Sequence, residues 1–206
     1  MSDPTTVDER YSSATHTSDL RVRPEKTGDA DVMIAAGWCS SRLGMALLRL
    51  HSEYDGMQHP RKMTQDAIES YAATLDGPKP DRLRQAHLDA SKWHLHEMGL
   101  MLGRLKSLPV VREQLALVAD KWGMESPHTA ATTVLMWWLD SVCHVCHGVK
   151  REQIEDTPIL SDIVCQACRG SGETRLPHGQ QGRRLANYID ECLYNARISL
   201  RKRLRG

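Results

Sequence analysis

Two pairs of closely spaced cysteines constrain this 206-residue chain more than any other feature. Cys143 pairs with Cys146 and Cys165 with Cys168, and 18 residues lie between the pairs. A two-residue gap lets both thiolates of a pair point to one side, and the glycine two positions after each pair permits the positive φ angles that turn the chain away. This spacing is typical of a zinc site closed by four sulfurs. We therefore predict one structural zinc ion, bound by all four cysteines, in a zinc ribbon or knuckle module over residues 143–177.

Other kinds of site share parts of this pattern. Cys143-x-x-Cys146-His147 also matches the attachment motif of c-type haem, which requires export of the protein. A redox Cys-x-x-Cys site uses one pair rather than two. His144 or His147 could replace one cysteine as a ligand, although the symmetric second pair favours four sulfurs. Because four sulfurs leave no open coordination position, the zinc is expected to be structural and not catalytic.

Charge is distributed unevenly along the chain. Lys and Arg number 27 against 26 Asp and Glu, so the net charge is +1. Residues 169–206 nevertheless carry nine basic and three acidic side chains, which leaves the first 168 residues with a net charge of −5. An acidic body with a basic end indicates contact with nucleic acid at that end and with another partner elsewhere.

Several classes of protein are disfavoured by the sequence. The longest fully apolar run covers residues 134–139, far short of the ~20 residues of a membrane-spanning helix. Residues 1–27 contain no apolar stretch, which argues against a secretory signal and for a cytoplasmic protein with reduced thiols. The sequence contains no Gly-rich phosphate loop, no Gly-x-Ser-x-Gly elbow and no paired carboxylates. We therefore expect that the protein is not an enzyme.

The hydrophobic pattern predicts a mainly α protein, a helical bundle with a helix-turn-helix-like hairpin and an inserted four-cysteine zinc module. Apolar residues between 32 and 50 recur at helical spacing, a second helix starts near Pro60, and a third covers residues 81–105 with Trp93 on its apolar side. These three helices are expected to share one core. The predicted units are a mobile N-terminal tail over 1–28, an N-terminal helical unit over 29–108, the hairpin over 109–142, the zinc module over 143–177 and a basic C-terminal helix over 178–206. A Gly/Gln-rich hinge is expected at residues 179–182 of the last unit.

The hairpin has the features of a helix-turn-helix unit. A helix over 111–122 reaches Gly123, and a second helix opens with Ser126 as its N-cap and Pro127 at its first position. Ala119, four residues before the glycine, would let the two helices approach closely. The start of the second helix usually meets base edges. The candidate base-reading residues are therefore Ser126, His128, Thr129 and Thr132. An ordinary αα-hairpin without DNA contact fits the same pattern.

Basic side chains after the second cysteine pair predict contacts with DNA phosphates. In the last segment an apolar stripe that includes Leu185, Ile189 and Cys192 keeps helical spacing, while basic residues occupy the other side. The candidate phosphate-binding residues are Arg169, Arg175, Arg183, Arg184, Arg197, Arg201 and Lys202. A merely solvated cationic helix end is the alternative.

Two separate motifs give the chain a resemblance to the lambda-type phage Q antitermination proteins. The first consists of Asp31-Val32-Met33 with Ala35 or Ala36, Gly37, Ser41 and Gly44-Met45. The second is the pair of cysteine knuckles, ending in Gly170-x-Gly172 and followed by Arg175-Leu176-Pro177. The chain departs from the family pattern at Lys150, where glycine is frequent, and in its short segment after Pro177.

The resemblance implies a transcription antitermination factor of phage or prophage origin. Such a factor binds a double-stranded DNA element beside a promoter and joins bacterial RNA polymerase with its sigma factor during an early pause. It then narrows the RNA exit path, so that the polymerase reads through terminators. The expected partners are therefore promoter-proximal DNA, RNA polymerase, sigma and nascent RNA, with no membrane, in the bacterial cytoplasm or a phage-infected cell.

Two other functions are compatible with the same motifs. A zinc-containing DNA-binding regulator could act only at initiation of transcription. The knuckles are also similar to the cysteine-rich repeats of DnaJ chaperones, which would make the chain a protein-binding zinc-ribbon module. The sequence lacks the His-Pro-Asp motif of a J-domain, which argues against the chaperone interpretation.

Overall fold

A computed structural model describes residues 6–18, 20–22, 27–143, 145–153 and 160–204 of the chain. The described part is mainly helical, as the sequence predicts, with one short β-ribbon. The elements are α1 (Val7–His16), α2 (Asp29–Gly37), α3 (Arg42–Asp55), α4 (Gln65–Ala73), α5 (Lys79–Leu102), α6 (Leu108–Lys121), α7 (Pro127–Leu139), β1 (Arg151–Gln153), β2 (Leu160–Val164) and α8 (Gly179–Leu204). None of the described helices combines the length and apolar character that crossing a membrane requires.

Helix α8 lies at the centre of the main core. Its buried face includes Leu185, Ile189, Cys192, Ala196 and Leu200, which confirms the stripe predicted from the sequence. Helices α1, α2, α3 and α7 all pack against it. The basic C-terminal helix is therefore part of the body of the protein and not an appendage to it.

The predicted hinge at 179–182 is instead the first turn of α8. The N–H of Gly182 donates to the carbonyl of His178 over 3.2 Å. A Cβ atom at position 182 would lie 1.9 Å from the carbonyl oxygen of Pro177. Glycine at this position permits close packing at the start of α8, and the turn is held by the preceding chain rather than free to bend.

Helices α3 and α8 touch backbone to backbone at Gly44. A Cβ atom on Gly44 would lie 2.1 Å from the carbonyl oxygen of Cys192 and 2.8 Å from Cβ of Ala196. The Ser41 hydroxyl donates to the same Cys192 carbonyl over 3.1 Å. The small residues in the first motif of the resemblance therefore have a packing role, because they bring α3 onto the central helix.

The first predicted helix is divided into α2 and α3, with a break at residues 38–41. Trp38 faces solvent, whereas Cys39 is buried and its thiol lies 3.9 Å from the Ala196 carbonyl. Helices α2 and α3 both contact α8, and so do Cys39 and Ser41 in the break between them. A single straight helix would not bring both segments onto one partner.

Residues 7–16, predicted to belong to a mobile tail, form helix α1 instead. Thr6 and Glu9 make a capping box, in which the Thr6 hydroxyl accepts from the Glu9 N–H over 3.2 Å. Tyr11 and Ala14 are buried in the main core. The tail prediction failed because it considered only local composition. Residues 1–5, 19 and 23–26 of the predicted tail lie outside the described residues.

Helices α4 and α5 form a hairpin with a small hydrophobic cluster of its own. Ile68, Ala72 and Ala86 are buried in this cluster, away from the main core, which α5 joins near its end through Met101. Trp93 is 60% exposed, so its predicted place on an apolar core stripe is wrong. Because α4 covers one face of the first half of α5, the three N-terminal helices do not share one core.

The predicted helical hairpin is formed by α6 and α7. Ala119, Met124 and Ala130 are buried between the two helices. Gly123 has a φ angle of +69°, and a Cβ atom at this position would meet open space, so glycine is required for the turn and not for close approach. The contact of the two helices depends on the small side chains of Ala119 and Ala130.

We predict that Gly44→Ala lowers the free energy of unfolding by about 2 kcal/mol or more, because the added methyl group collides with backbone that cannot move aside. The matched control is Gly99→Ala in α5, where nothing lies within 4 Å of the new Cβ atom. That substitution should raise the stability by about 0.5–1 kcal/mol through helix propensity. Urea denaturation of both variants measures the difference, and equal effects would contradict the packing role of Gly44.

Candidate metal centre

The four paired cysteines converge on one point. All four sulfur atoms lie within 4.8 Å of one another, and all four side chains are buried. The Sγ atoms of Cys146 and Cys168, from different pairs, are 3.6 Å apart. Metal–sulfur bonds of about 2.3 Å in a tetrahedron separate the sulfurs by roughly 3.8 Å. The cluster therefore fits coordination of one metal ion by four thiolates.

These cysteines take the place of a hydrophobic core in their part of the chain. They form a buried cluster by themselves, while neighbouring apolar side chains such as Val145, Val149 and Ile163 are about half exposed. A segment without apolar burial cannot offset the entropy lost on folding. The sulfur cluster is thus the contact that holds the described parts of residues 143–174 in place.

The two cysteine pairs are followed by the same backbone conformation. Positive φ angles occur one, two and four positions after each pair, and glycine stands at three of these six positions. The residues are His147 (48°), Gly148 (84°) and Lys150 (70°) after the first pair, and Arg169 (52°), Gly170 (79°) and Gly172 (83°) after the second. The predicted turns at Gly148 and Gly170 are therefore present, and each pair forms one knuckle.

Each knuckle hydrogen-bonds to the first cysteine of the other. The N–H of Cys143 donates to the carbonyl of Gly172 over 2.8 Å, and the N–H of Cys165 donates to the carbonyl of Lys150 over 3.1 Å. Gly172 also donates its N–H to the sulfur of Cys168 over 3.3 Å. The two halves are thus related by an approximate twofold symmetry, in which Lys150 occupies the position of Gly172.

The remaining contacts attach the knuckles to the helices. Strands β1 and β2 pair antiparallel between the knuckles, with residues 154–159 outside the described part. At the base, the N–H of Thr174 donates to the Ser141 carbonyl over 2.7 Å. The indole N–H of Trp137 in α7 donates to the Thr174 carbonyl over 3.0 Å. These bonds orient the module on the end of α7 and lead the chain into α8.

The protonation of the sulfurs is unequal. Burial opposes charge on Cys168, but the N–H of Gly172 and the thiols of Cys146 and Cys165 donate to its sulfur, and its pKa falls to about 6. Burial raises the pKa of Cys146 to about 11. The backbone N–H of Cys146 lowers the pKa of Cys143. Cys168 therefore ionises most readily, and binding of a metal ion releases the proton of a thiol such as that of Cys146.

Histidine takes no part in the sulfur cluster among the described residues. His147 is exposed on the turn after the first knuckle. His144, the other histidine considered as a ligand, lies outside the described residues. The four sulfurs form a complete set of ligands without either histidine.

Three of the predicted phosphate-binding arginines line one cleft beside the cluster. Arg169 and Arg175 come from the module and Arg183 from the first turns of α8, around a cavity of about 750 Å³. In the described part of the chain, none of these three guanidinium groups forms an ion pair. Trp137 and Glu173 also line the cleft. Neither residue could be assigned to it from the sequence, which does not reveal that α7 meets the chain after the second knuckle.

Two other predicted phosphate-binding arginines have partners within the protein. Arg197 forms an ion pair with Asp8 of α1, with its Nε 2.9 Å from one carboxylate oxygen. The Arg184 guanidinium lies 4.1 Å from the centroid of a Trp122 ring. Both side chains therefore connect α8 to other elements. Arg201 and Lys202, in contrast, are exposed at the far end of α8.

The predicted base-reading residues lie at the start of α7. Ser126 occupies the N-cap position and Pro127 the first helical position, as predicted, but Ser126 has a φ angle of +52° and its side chain makes no capping hydrogen bond. The Thr132 hydroxyl donates to the His128 carbonyl over 2.7 Å. His128 and Thr129 are exposed. Nδ1 of His128 lies 3.7 Å from a carboxylate oxygen of Glu113.

Comparison with models of protein families, with curated proteins and with solved structures gives no match for this chain. We therefore infer its function from the site itself and from the sequence resemblance.

Replacing Cys165 by serine should abolish binding of the metal ion, because a hydroxyl is a poor substitute for a thiolate and the site has no spare ligand. The metal content of the purified protein, measured by mass spectrometry, should fall from one equivalent to none. Cys39→Ser is the matched control, because this buried cysteine lies in the helical core and should not affect the metal content. Full metal content in Cys165→Ser would contradict the proposed ligand set.

Lys150→Gly should raise the free energy of unfolding by about 0.5–1 kcal/mol, because relief of the left-handed backbone, worth about 1–2 kcal/mol, exceeds the entropy that glycine adds to the unfolded chain. The control Lys150→Ala removes the same side chain and keeps the strain. Urea denaturation at a fixed metal concentration compares the two. An equal gain in both variants would show that the side chain, and not the backbone conformation, limits stability.

Proposed function

We propose that the protein is a zinc-containing, DNA-binding transcription antitermination factor. The observation that carries the proposal is the position of the cations, which stand at both ends of the central helix α8. At its start Arg183 joins Arg169 and Arg175 around the cleft, and Arg201 and Lys202 are exposed in its last turn. The first 168 residues carry a net charge of −5, which favours a partner other than nucleic acid for that part of the protein.

Zinc is the ion that the four-sulfur site favours. Thiolates are soft ligands, and a tetrahedral set of four sulfurs binds zinc or iron. A closed set of four cysteines is typical of structural zinc sites, in which the metal stabilises the fold and does no chemistry. The ion would supply the module with the stability that its apolar side chains, exposed to solvent, do not provide. Zinc and iron content are distinguished by the same mass spectrometry that counts the metal.

The cations on α8 have a spacing suited to an extended polyanion. Arg183 and Arg201 are 18 residues apart, which is five helical turns, so they lie on the same side of the helix about 27 Å apart. Cations at both ends of one rigid helix can therefore contact two separate segments of one nucleic acid without a change of fold.

Antitermination, as opposed to regulation of initiation, is supported by the resemblance of two motifs to the lambda-type Q proteins. In the structure these motifs are linked through α8. Ser41 and Gly44 of the first motif contact Cys192 of this helix, and the second motif leads directly into its first turn. The motifs therefore belong to one structural unit, which is expected if they serve one activity.

Transcription in a purified system tests the proposal. Genomic DNA fragments that the protein retains would supply a promoter, and an intrinsic terminator would be placed downstream. With bacterial RNA polymerase and its sigma factor, the protein should raise the fraction of transcripts that pass the terminator. Increased initiation with unchanged readthrough would overturn antitermination and support a regulator of initiation.

The double variant Arg201→Ala with Lys202→Ala should bind all duplex DNA sequences more weakly, because phosphate contacts do not depend on base sequence. The slope of log affinity against log salt should become shallower by about 0.9 for each lost contact. Filter binding at several salt concentrations measures both quantities. Arg61→Ala, which removes an exposed arginine between α3 and α4, is the control and should change neither. An unchanged slope in the double variant would exclude the end of α8 from the DNA interface.

A further inference from the structure

The cleft beside the cysteine module differs in shape from the other end of α8. Arg169, Arg175 and Arg183 surround a concave space of about 750 Å³, whereas Arg201 and Lys202 project from a helix surface. Cavities of about 300–1,000 Å³ are of a size that encloses small organic ligands. Duplex DNA presents its phosphates on a broad convex surface, which contacts projecting side chains more readily than the inside of a cleft. The cleft is therefore suited to a smaller part of a nucleic acid.

The wall of the cleft contains an aromatic surface. Trp137 lines the cavity, and its indole N–H is already bound to the Thr174 carbonyl over 3.0 Å. Trp137 therefore offers the cleft only the carbon surface of its ring, and the hydrogen bond holds that ring in a fixed orientation. Aromatic side chains beside cationic groups are characteristic of sites that bind single-stranded nucleic acid, where unpaired bases stack on the ring and phosphates pair with the cations.

The cleft also contains one acidic group. Glu173 lines it, and its carboxylate has no hydrogen-bond partner within the described residues, although its backbone pairs with Val142. A carboxylate beside phosphate-binding arginines repels a phosphate but accepts hydrogen bonds from an amino group. Among the bases, cytosine, adenine and guanine carry an exocyclic amino group, and thymine and uracil do not.

We propose that this cleft binds a nucleotide of single-stranded nucleic acid, with its phosphate on Arg169, Arg175 and Arg183, its base against Trp137 and an exocyclic amino group on Glu173. The inference takes from the proposed function only that the protein binds nucleic acid. It assigns a different form of nucleic acid to each end of α8. The cleft end takes an unpaired strand, and the Arg201 end takes duplex.

The experiment compares two arginines that lie on the same side of one helix. Fluorescence anisotropy measures binding of the full-length, metal-loaded protein to a labelled 20-nucleotide DNA strand, to the RNA strand of the same sequence and to the 20-base-pair duplex. Arg183→Ala should weaken binding of the single strand about tenfold, the loss expected for one charge-assisted contact, and leave duplex binding unchanged. Arg201→Ala should do the reverse. The DNA and RNA arms show which type of strand the cleft prefers.

A second arm tests the base contact. The wild type should bind oligo(dC) more tightly than oligo(dT), and Glu173→Gln should remove this preference, because an amide can also donate to the carbonyl oxygen of thymine. The inference is overturned if Arg183→Ala weakens strand and duplex equally, if it weakens neither, or if the wild type fails to bind either strand. If the protein binds the strands as expected but does not raise readthrough of a terminator, the proposed function is overturned and this inference is not.

Discussion

The meeting of four cysteine sulfurs is the contact on which the segment between α7 and α8 depends. Around it the apolar side chains are largely exposed, so the sulfurs and the bonds between the two knuckles replace a hydrophobic core. The consequences extend beyond the module. Arg169 follows the second knuckle directly, and Arg175 lies between it and α8, so the position of the cleft beside the module is set by the same cluster. A ligand bound in the cleft would therefore be coupled to a metal ion held by the four sulfurs.

Helix α8 combines two roles that usually belong to separate elements. One side is buried against four other helices, and the other carries the cations at its two ends. The packing of the first role makes the helix rigid, so its backbone would lose no further conformational entropy if the cations bound an extended polyanion. Not every cation on this helix is available. Asp8 neutralises Arg197, and the Arg184 guanidinium lies over Trp122, so the helix offers fewer free charges than its sequence suggests.

The features that could be predicted correctly from the sequence are those carried by local patterns. The spacing of the cysteines, the glycines that follow them and the apolar stripe of α8 each depend on residues close together in the chain. The failures concern contacts between distant segments. Whether Arg197 is free depends on Asp8, almost the whole length of the chain away, and the break after α2 serves contacts with α8. Helix α1 is an intermediate case, because the capping box of Thr6 and Glu9 was a readable signal, but the burial that stabilises the helix was not.

The separate hydrophobic cluster of α4 and α5 has a consequence for the cooperativity of the protein. Ile68, Ala72 and Ala86 are buried against each other and not against the main core. A unit of this kind can open while the rest of the protein stays folded, so its amide protons exchange with solvent through a local transition of low free energy. The described chain thus consists of a well-connected body around α8 and a hairpin that can open separately as far as the end of α5, where Met101 enters the main core.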